Sequence, residues 1–465
     1  VLCAAPPDEP ELRAAAKARA EEALRSVLAE PDRFGEVARA HSDCPSKAND
    51  GRLGLVQRGD ADPVFETYLM SLKAGETCPQ VVETKYGFHV VRLRQRLDGR
   101  DLPYEAVRDR IALMDGYHSP QVDVRVRLNT NEAPEPPPAA FVDALAAGLS
   151  GIEWRRNPDR AAVALRSRIA DVEGAETPGP IDAANVFAAN GSNEVLQSIC
   201  LAYGGAGRTV ATFEPTYALH SHIARVCGSD VVSAAREADF TLDVDVARRL
   251  LLDRRPTITF LCSPNNPTGR LEPEETVRAV LETVEEIGGL LVVDEAYGQF
   301  SPWSALSLLS EDRPVVVTRT FSKTWSAAAL RLGYLIGPSW VVADLEKVVL
   351  PYHLDSMTQL AGVLALDHLD DMQRRVARLV EERGRLEAAL GSLEVDMWPS
   401  AANFILFRPR GRDGAEVWQE LVDRGVLVRN CASWPGLEGC LRVTLGTVEE
   451  DDEFLAALTE VLTGR

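Results

Sequence analysis

Polar segments follow apolar, β-rich runs at several points in the second part of the chain, where their side chains could do chemistry. The segment Asn190-Gly191-Ser192-Asn193-Glu194 precedes helix-forming residues. It would place free backbone N–H groups at a helix N-terminus, an arrangement suited to a phosphate group. The alternative is that these residues only cap the helix. The prediction therefore depends on the other segments.

Two further segments offer oxygen and amide groups at strand ends. Residues 263–269 contain Asn266 within a turn stiffened by two prolines, which presents the amide side chain at a fixed geometry. Asp294 follows the run that ends at Val293, and the phenol of Tyr297 stands three residues later. An acid at this point could instead cap a helix.

Lys323 is the candidate nucleophile of the set. It lies between apolar and small residues, and Arg331 follows eight residues later. By itself Lys323 would be interpreted as a surface lysine. In a desolvated setting its pKa would fall below the ordinary value of ~10.4, leaving an amine able to attack an aldehyde. Together the segments supply a phosphate cradle, oxygen partners, a carboxylate and an amine, which are the groups needed to hold pyridoxal phosphate.

An α/β domain would position these groups. Its apolar runs are unalternating and rich in Val, Ile and Leu, as a parallel sheet covered on both faces requires. Because ligands bind at the carboxyl ends of such strands, the polar segments should meet there. After Pro351 a helix over residues 358–390 and later strand patterns predict a smaller α+β lobe. The runs are at 186–189, 209–213, 257–262, 290–293, 315–318 and 332–336, and the later strands at 404–407 and 441–444.

The first hundred residues predict a separate α+β module. A short first strand, an amphipathic helix over 11–28 and strands at 81–82 and 88–93 form it. We expect domains at 1–97 and 122–465, joined by a linker at 98–121 with a short helix over 104–114. The second domain is divided into a small lobe (122–149 and 351–465) and a large lobe (150–350).

Composition narrows the class of protein. A net charge of −20 argues against binding nucleic acid, which needs a clustered basic surface. The chain has no apolar run long enough for a membrane span. Eight cysteines lack metal-ligand spacing, so we expect free thiols, no metal site and a reducing cytoplasm. The start at Val1 is interpreted as a truncated start and not as a signal peptide. The expected partners are small molecules.

Over residues 122–465 the sequence resembles the fold-type I pyridoxal-phosphate aminotransferases, specifically the histidinol-phosphate aminotransferase branch. The fold implied is a large parallel or mixed sheet domain with a small α+β lobe. The motifs that carry the resemblance are residues 128–132, 190–194, 263–269, 294–297, 321–323 with Arg331, and 441–443.

The resemblance implies a role for each matched residue. Lys323 would hold the cofactor as a Schiff base and move the proton between Cα and C4′. Asp294 would pair with the pyridine nitrogen, Asn266 and Tyr297 would bind the ring oxygen O3′, and Tyr217 would stack on the ring. The phosphate would be held by Gly191, Ser192, Asn193, Ser322 and Arg331.

The resemblance also implies residues that recognise the substrates. Arg442 would bind the carboxylate of an amino donor such as glutamate, and Arg429 could assist with a substrate phosphate of the oxo acceptor. Either could instead be a solvated charge at a strand end. The chain has Asn157 where the family has a tyrosine that reaches the partner subunit of a homodimer, and Ala133 where a larger residue is usual. A decarboxylase of phosphorylated amino acids, or a folding factor with a vestigial aminotransferase domain, remain as alternatives.

The N-terminal module resembles the parvulin-type peptidyl-prolyl isomerases. The motifs lie at residues 41–46, 51–54, 58–59, 63–65, 72–76 and 86–89. Leu53 and Phe65 would line a shallow proline pocket, with Cys44 and His89 on its polar side. Cis/trans rotation about the planar peptide bond has a barrier of ~20 kcal/mol, and such a pocket would lower this barrier without breaking a bond. Ala61 stands where the family has a methionine, so a domain that docks proline-containing peptides without turnover is the alternative.

Overall fold

The computed structural model describes residues 1–7, 9–54, 56, 61–94, 111 and 122–464. The chain divides into two compact units, Val1–His118 and Ser119–Arg465. Apart from Ile111, the linker predicted at 98–121 and its short helix lie outside the described residues.

The first unit packs helices on a small antiparallel sheet in the order β1-β3-β2. The predicted first strand is confirmed, because Cys3 pairs with Phe88 of β3. The predicted first helix is also present, with Pro10 at its first position, where a missing N–H costs no hydrogen bond. The elements are β1 (Leu2–Ala4), α1 (Pro10–Ala29), α2 (Phe34–His41), α3 (Pro63–Ser71), β2 (Val82–Thr84) and β3 (Gly87–His89).

The second unit holds two sheets. The larger has the order β5-β11-β10-β9-β8-β6-β7, and the smaller the order β12-β13-β15-β14-β4. The strands are β4 (Val126–Leu128), β5 (Val186–Ala189), β6 (Thr209–Glu214), β7 (Asp230–Ala235), β8 (Ile258–Cys262), β9 (Leu290–Asp294), β10 (Val315–Thr320), β11 (Gly333–Ile336), β12 (Val395–Met397), β13 (Phe404–Pro409), β14 (Val426–Asn430) and β15 (Leu441–Thr444).

Helices cover both faces of the larger sheet and one side of the smaller. They are α4 (Ala139–Gly148), α5 (Val163–Glu173), α6 (Ser192–Tyr203), α7 (Ala218–Val226), α8 (Val244–Arg254), α9 (Glu274–Ile287), α10 (Ser339–Val348), α11 (Ser356–Leu366), α12 (Leu369–Leu390), α13 (Gly414–Asp423) and α14 (Val448–Thr463).

The larger sheet is buried on both faces, which explains its unalternating sequence. In β9, Leu291 and Val293 pack into one hydrophobic core, while Leu290 and Val292 pack into the core on the other face. Both cores must be apolar, so the strand carries no polar residue until Asp294 at its end.

The sheet is mixed, and one predicted parallel strand runs the other way. The run at 332–336 forms β11, which pairs antiparallel with β10 and with β5. The connection from β10 to β11 contains no α-helix to cross over a face of the sheet, so the chain turns back at the same edge. The segment that carries Lys323 and Arg331 is this connection.

The predicted helix over 358–390 is two helices. Asp367 ends α11, and His368 precedes α12. Ala361 and Leu366 of α11 pack into the core of the larger sheet, whereas Leu386 and Leu390 of α12 pack against the smaller sheet. The first turns of α12 still pack into the core of the larger sheet through Met372, so α12 itself spans the two cores. Among the described residues, no helix is both long and apolar enough to cross a bilayer.

Candidate active site

The polar segments meet at one edge of the larger sheet. Strands β8, β9 and β10 pair in parallel, so the residues that follow them emerge at the same edge. Strand β5 pairs antiparallel with β11, which in turn is antiparallel to β10, so β5 also ends there. This edge is where an open α/β sheet binds its ligand.

The N-terminus of α6 forms a cradle with Arg331. Gly191 precedes the helix in the left-handed region, at φ +80°, and a Cβ added there would lie 2.7 Å from Arg331 Nη2. Arg331 Nη1 donates to Ser322 Oγ over 3.4 Å, which brings the two predicted phosphate ligands together. The first N–H groups of a helix have no partner inside the helix, and both they and the guanidinium favour an anion.

Asp294 is held by a histidine that the sequence patterns did not identify. His220 Nε2 bonds to Asp294 Oδ2 over 2.8 Å, and both side chains are buried. The imidazole stacks on Phe260, with ring centroids 4.7 Å apart and nearly parallel planes, and meets Tyr217 edge-on at 5.4 Å. Tyr217 donates to Asn193 Oδ1 over 3.2 Å. The carboxylate is thus fixed from α7, beside the predicted stacking tyrosine.

Tyr297 and Asn266 are each tied to the smaller lobe. Asn131 Nδ2 donates to Tyr297 Oη over 2.8 Å, and burial raises the pKa of Tyr297 to about 12. The phenol therefore stays protonated at neutral pH and can donate a hydrogen bond. Arg442 Nη1 donates to Asn266 Oδ1, and Arg442 Nη2 donates to the carbonyl of Asn129 over 3.0 Å.

Lys323 brings its amine to the same place. Its Nζ donates to the carbonyl of Thr130 over 3.1 Å and lies 5.9 Å from the centre of the Tyr297 ring. Burial lowers the pKa of Lys323 to about 8, helped by the nearby positive charge of Arg442. About a tenth of the amine is then uncharged at pH 7, far more than for an ordinary lysine, and nucleophilic attack on an aldehyde requires this uncharged form.

Two arginines stand opposite each other beside this group. Arg429 of β14 pairs in register with Arg442 of β15, so both side chains project from the same face of the smaller sheet. Arg442 lies over the ring of Phe404 at 5.0 Å. Two positive side chains therefore lie close together on one face of the smaller sheet.

A buried ion cluster behind Asp294 supports the end of β9. The carboxylate of Glu295 accepts from Arg319 Nη2 over 2.9 Å and from the backbone N–H of Ala305 over 2.6 Å. Arg319 also pairs with Glu173, and these charged side chains are all buried. Sequence patterns do not reveal this cluster, because its members are far apart along the chain.

The structure brings the predicted cofactor residues together, and it adds His220 and Asn131 to them. The sequence held one signal for Asn131, because this residue lies in the motif at 128–132 that carries the family resemblance, although no role was predicted for it. Nothing in the sequence pattern marked His220, which lies inside a helix. Its importance depends on α7 packing across the ends of β8 and β9.

The predicted residues of the N-terminal module are partly assembled. The rings of Phe65 and His89 meet edge-on at 5.3 Å, and His89 Nε2 lies 2.8 Å from Thr84 Oγ1. Burial lowers the pKa of His89 to about 4, so the imidazole is neutral at pH 7. Cys44 Sγ accepts from Ser46 Oγ over 3.1 Å, whereas Leu53 is 55% exposed.

Comparison with known proteins agrees with this geometry. The family model described as "Aminotransferase class I and II" matches residues 124–458, and the model described as "PPIC-type PPIASE domain" matches residues 1–95. A histidinol-phosphate aminotransferase of Streptomyces avermitilis is 45% identical over 365 residues, covering 78% of this chain and 97% of the relative. One of Mycolicibacterium smegmatis is 43% identical over 365 residues, covering 78% and 94%.

Solved structures show the same fold. The crystal structure of histidinol-phosphate aminotransferase from Sinorhizobium meliloti in complex with pyridoxal-5'-phosphate has a TM-score of 0.66 at 23% identity, covering 73% of this chain and 91% of that one. Fold and site together define a pyridoxal-phosphate-dependent aminotransferase of fold type I. The chain belongs to aminotransferase class I and II and carries a PPIC-type rotamase domain at its N-terminus.

Proposed function

We propose that residues 122–465 transfer an amino group between glutamate and the oxo form of histidinol phosphate. The observation that carries the proposal is the pair of arginines, Arg429 and Arg442, that face each other across β14 and β15, with Arg442 near enough to Lys323 to lower its pKa. One guanidinium suits a carboxylate, and two suit the greater charge of a phosphate ester. The relatives named histidinol-phosphate aminotransferase support the same substrate.

The residues at the strand ends fit pyridoxal phosphate. The absence of a side chain at Gly191 leaves space beside Arg331 that a Cβ would fill, as a phosphate cradle requires. Gly191, Ser192, Asn193, Ser322 and Arg331 would hold the phosphate. Asp294 would pair with the ring nitrogen, Tyr297 and Asn266 would bind the ring oxygen, and Tyr217 would face the ring. When bound, the cofactor supplies an electron sink for the bonds at the substrate Cα.

The protein's own side chains then bind the substrate and move the proton. Arg442, held by Asn266 and Asn129, would bind the donor carboxylate in a fixed orientation. The Lys323 amine, with its pKa lowered to about 8, would accept the proton from the substrate Cα and return it to the neighbouring carbon. Tyr297, whose pKa burial raises to about 12, would stay protonated and would donate a hydrogen bond to the ring oxygen.

The visible absorption of the purified protein tests the role of Lys323. We expect an absorption band of the bound cofactor that shifts when glutamate is added, and that Lys323→Ala abolishes together with turnover. Lys347→Ala is the control, because that lysine is exposed and pairs only with Asp344 on its own helix. A colourless wild type in the presence of cofactor would refute the proposal. Carbon dioxide release from an amino acid, without a glutamate response, would point to decarboxylation, which the relatives do not favour.

We further propose that the protein is a homodimer in the cytoplasm, with domains at 1–97 and 122–465. The second domain would have a small lobe at 122–149 and 351–465 and a large lobe at 150–350. Analytical ultracentrifugation of the full chain in solution would test whether it forms a dimer. Asn157 is exposed, at the place where the family's tyrosine reaches the partner subunit. A monomer at micromolar concentration with full cofactor content would contradict the dimer.

For the N-terminal module we propose prolyl isomerisation of a proline-containing peptide. Phe65 and the neutral imidazole of His89 would provide its apolar and polar sides, with Cys44 and Leu53 at the rim. A proline-peptide isomerisation assay on the full chain should lose its catalysed phase in His89→Ala. The control is His41→Ala, on α2. An equal rate in wild type and buffer would favour docking without turnover.

A further inference from the structure

Asn131 joins the smaller lobe to the hydroxyl group of Tyr297. It has a positive φ of +55°, a conformation that asparagine adopts more readily than most residues. Its side chain is buried, as are those of Thr444 and Tyr297. Its backbone carbonyl accepts from Asn403 Nδ2 over 3.2 Å, which holds the segment against the start of β13. The amide of Asn131 therefore has a fixed place between the two lobes.

The direction of the hydrogen bonds around Asn131 follows from Thr444. The backbone N–H of Asn131 donates to Thr444 Oγ1 over 3.0 Å, and Thr444 Oγ1 in turn donates to Asn131 Oδ1 over 3.0 Å. A hydroxyl group has a single proton, and because a backbone N–H can only donate, that proton goes to Oδ1. The NH2 group of the amide is thereby left to donate to Tyr297 Oη over 2.8 Å.

The ring of Tyr297 is held in place by contacts other than Asn131. It is buried and meets the ring of Phe404 edge-on at 5.0 Å, and Phe404 pairs in register with Thr444. A phenol that accepts a hydrogen bond from Asn131 keeps its own proton for a different acceptor. The packing of the ring thus sets where the oxygen lies, and Asn131 sets which way its O–H points.

We propose that Asn131 is a positioning residue that makes the Tyr297 hydroxyl a donor to the ring oxygen of the cofactor, with Thr444 fixing the direction of the hydrogen bonds. The inference rests on the proposed function, in which Tyr297 binds that oxygen. Negative charge on the ring oxygen stabilises a proton on the Lys323 nitrogen once that nitrogen is bonded to the cofactor. A hydrogen bond donated to the oxygen weakens this stabilisation, so Asn131 lowers the pH at which the proton leaves.

The pH midpoint of the visible absorption change, titrated on the holoenzyme without substrate, tests the inference. Tyr297→Phe removes the donor, and its midpoint should rise by about one to two pH units, as for the loss of a hydrogen bond to a charged group. In Asn131→Asp the carboxylate can only accept, so the Tyr297 hydroxyl turns towards it and the midpoint rises by a similar amount. Aspartate also adopts a positive φ readily, so this variant keeps the backbone conformation.

The double variant separates the direction of the hydrogen bond from the charge of the aspartate. If Asn131 acts through Tyr297, Asn131→Asp combined with Tyr297→Phe should have a midpoint close to that of Tyr297→Phe alone. A carboxylate that acted only through its charge would not need the phenol. Two shifts that add in full would therefore overturn the inference.

Thr444→Val is an uncharged test, and Thr259→Val is its matched control. Without the Thr444 hydroxyl the Asn131 amide loses the partner that fixes its direction, so the midpoint should rise by about half a pH unit. Thr259 is likewise buried in a strand, but its hydroxyl has no hydrogen-bond partner among the described residues. Its removal should leave the midpoint at the wild-type value.

The outcomes for the inference and for the proposed function differ. Equal midpoints in Thr444→Val and Thr259→Val, or a wild-type midpoint in Asn131→Asp beside a raised one in Tyr297→Phe, would overturn the inference alone. An unshifted midpoint in Tyr297→Phe would instead refute the binding of the ring oxygen by Tyr297. A wild type without visible absorption would refute the proposed function, and the inference with it.

Discussion

The amine of Lys323 gains its reactivity from its surroundings. Burial removes water from the charged form, and Arg442 and Arg331 add positive charge nearby, while Glu132 acts in the opposite direction. The net effect lowers the pKa of Lys323 from 10.5 to about 8. The arginines that would bind the anionic groups of substrate and cofactor thus also prepare the lysine.

The pH dependence of cofactor uptake should report this pKa. Only the uncharged amine attacks the aldehyde, so the rate of pyridoxal phosphate incorporation into the apoprotein should rise with pH through about 8 and then level off. Stopped-flow absorption from about pH 6 to about pH 10 measures this rate, over a range that runs up to near the ordinary lysine pKa of ~10.4. If the rate were still rising at about pH 10, close to the ordinary lysine pKa of ~10.4, the site would not be lowering the pKa of Lys323.

His220 should matter for turnover although it lies behind the cofactor residues. In His220→Phe the ring can still stack on Phe260, but Asp294 loses a charge-assisted hydrogen bond. We expect kcat/KM for glutamate to fall about 10- to 100-fold, because a hydrogen bond to a buried charged group contributes roughly 1.5–3 kcal/mol. The control is His353→Phe, since His353 stacks on Phe187 and bonds only to a backbone carbonyl. Equal losses in both variants would argue against a specific role.

The predicted cofactor residues share one property: each lies at or after the end of a strand. Asp294 and Lys323 stand where an apolar run stops, and the run itself predicts the strand. His220 and Asn131 depend on contacts between distant elements, which spacing along the chain does not encode. Arg442 was predicted as a substrate ligand, and only the structure shows that it is already held by Asn266.

At the scale of elements, the N-terminus of α6 depends on one glycine. Gly191 has φ +80° and ψ 163°, a backbone conformation essentially restricted to glycine that costs other residues roughly 1–3 kcal/mol. It also lies so close to Arg331 that a methyl group would displace the guanidinium from the cradle. Backbone conformation and cofactor binding are therefore two separate demands on the same residue.

Gly191→Ala should weaken cofactor binding beyond its effect on stability. We expect the dissociation constant of pyridoxal phosphate to rise about tenfold, as for the loss of a charge-assisted hydrogen bond. Gly207→Ala is the matched control, because Gly207 has φ +76° but open space around its Cα. Both variants should unfold at lower temperature. If equilibrium titration gave equal affinities in the two variants, the contact with Arg331 would be irrelevant.

Some elements could not be predicted because their sequence signal is weak. Strand β7 was missed, since an edge strand is only half buried and its sequence, Asp230-Val231-Val232-Ser233-Ala234-Ala235, lacks a continuous apolar run. The break between α11 and α12 was missed because the helical pattern continues across Asp367. The direction of β11 is set by the connection from β10, which contains no α-helix to cross a face of the sheet, and not by the residues of the strand itself.

At the scale of the whole molecule, the two modules were distinguishable by their patterns alone. The first unit is a small antiparallel sheet with helices, and the second has long apolar runs that alternate with helices. The hydrophobic residues of each unit form a core within that unit, so the fold class of each unit can be predicted from its own residues. The stability of the second unit depends further on charged groups that the sequence does not place.

A buried carboxyl pair joins α12 to α14 in the smaller lobe. Asp451 is fully buried, and its Oδ1 accepts from the backbone N–H of Gly446 over 2.9 Å. Burial, together with the facing carboxyl group of Glu382, raises the pKa of Asp451 from 3.8 to about 8. Burial beside a second carboxyl group favours the neutral form of Asp451, so the folded state retains a proton that the unfolded chain releases.

This proton makes stability fall as pH rises. Below pH ~4 Asp451 is protonated in both the folded and the unfolded state, so it does not make stability depend on pH. Above that pH only the unfolded chain ionises at Asp451, until the pH passes the folded-state pKa of about 8. The free energy of unfolding should therefore fall by up to about 1.4 kcal/mol per pH unit within that window. Asp451→Asn keeps a neutral side chain, so its unfolding temperature should match wild type near pH 4 and exceed it by a growing margin towards pH 8.

Calorimetry of the full chain at several pH values measures this margin. Asp452→Asn is the control, because its neighbouring carboxylate is exposed and pairs with Arg385. Removing that ion pair should lower stability slightly and should not produce a gain that grows with pH. If Asp451→Asn lowered the unfolding temperature equally at every pH, the carboxyl group would be acting through its contact with Gly446 alone. A growing gain confined to Asp451→Asn would place the proton between α12 and α14.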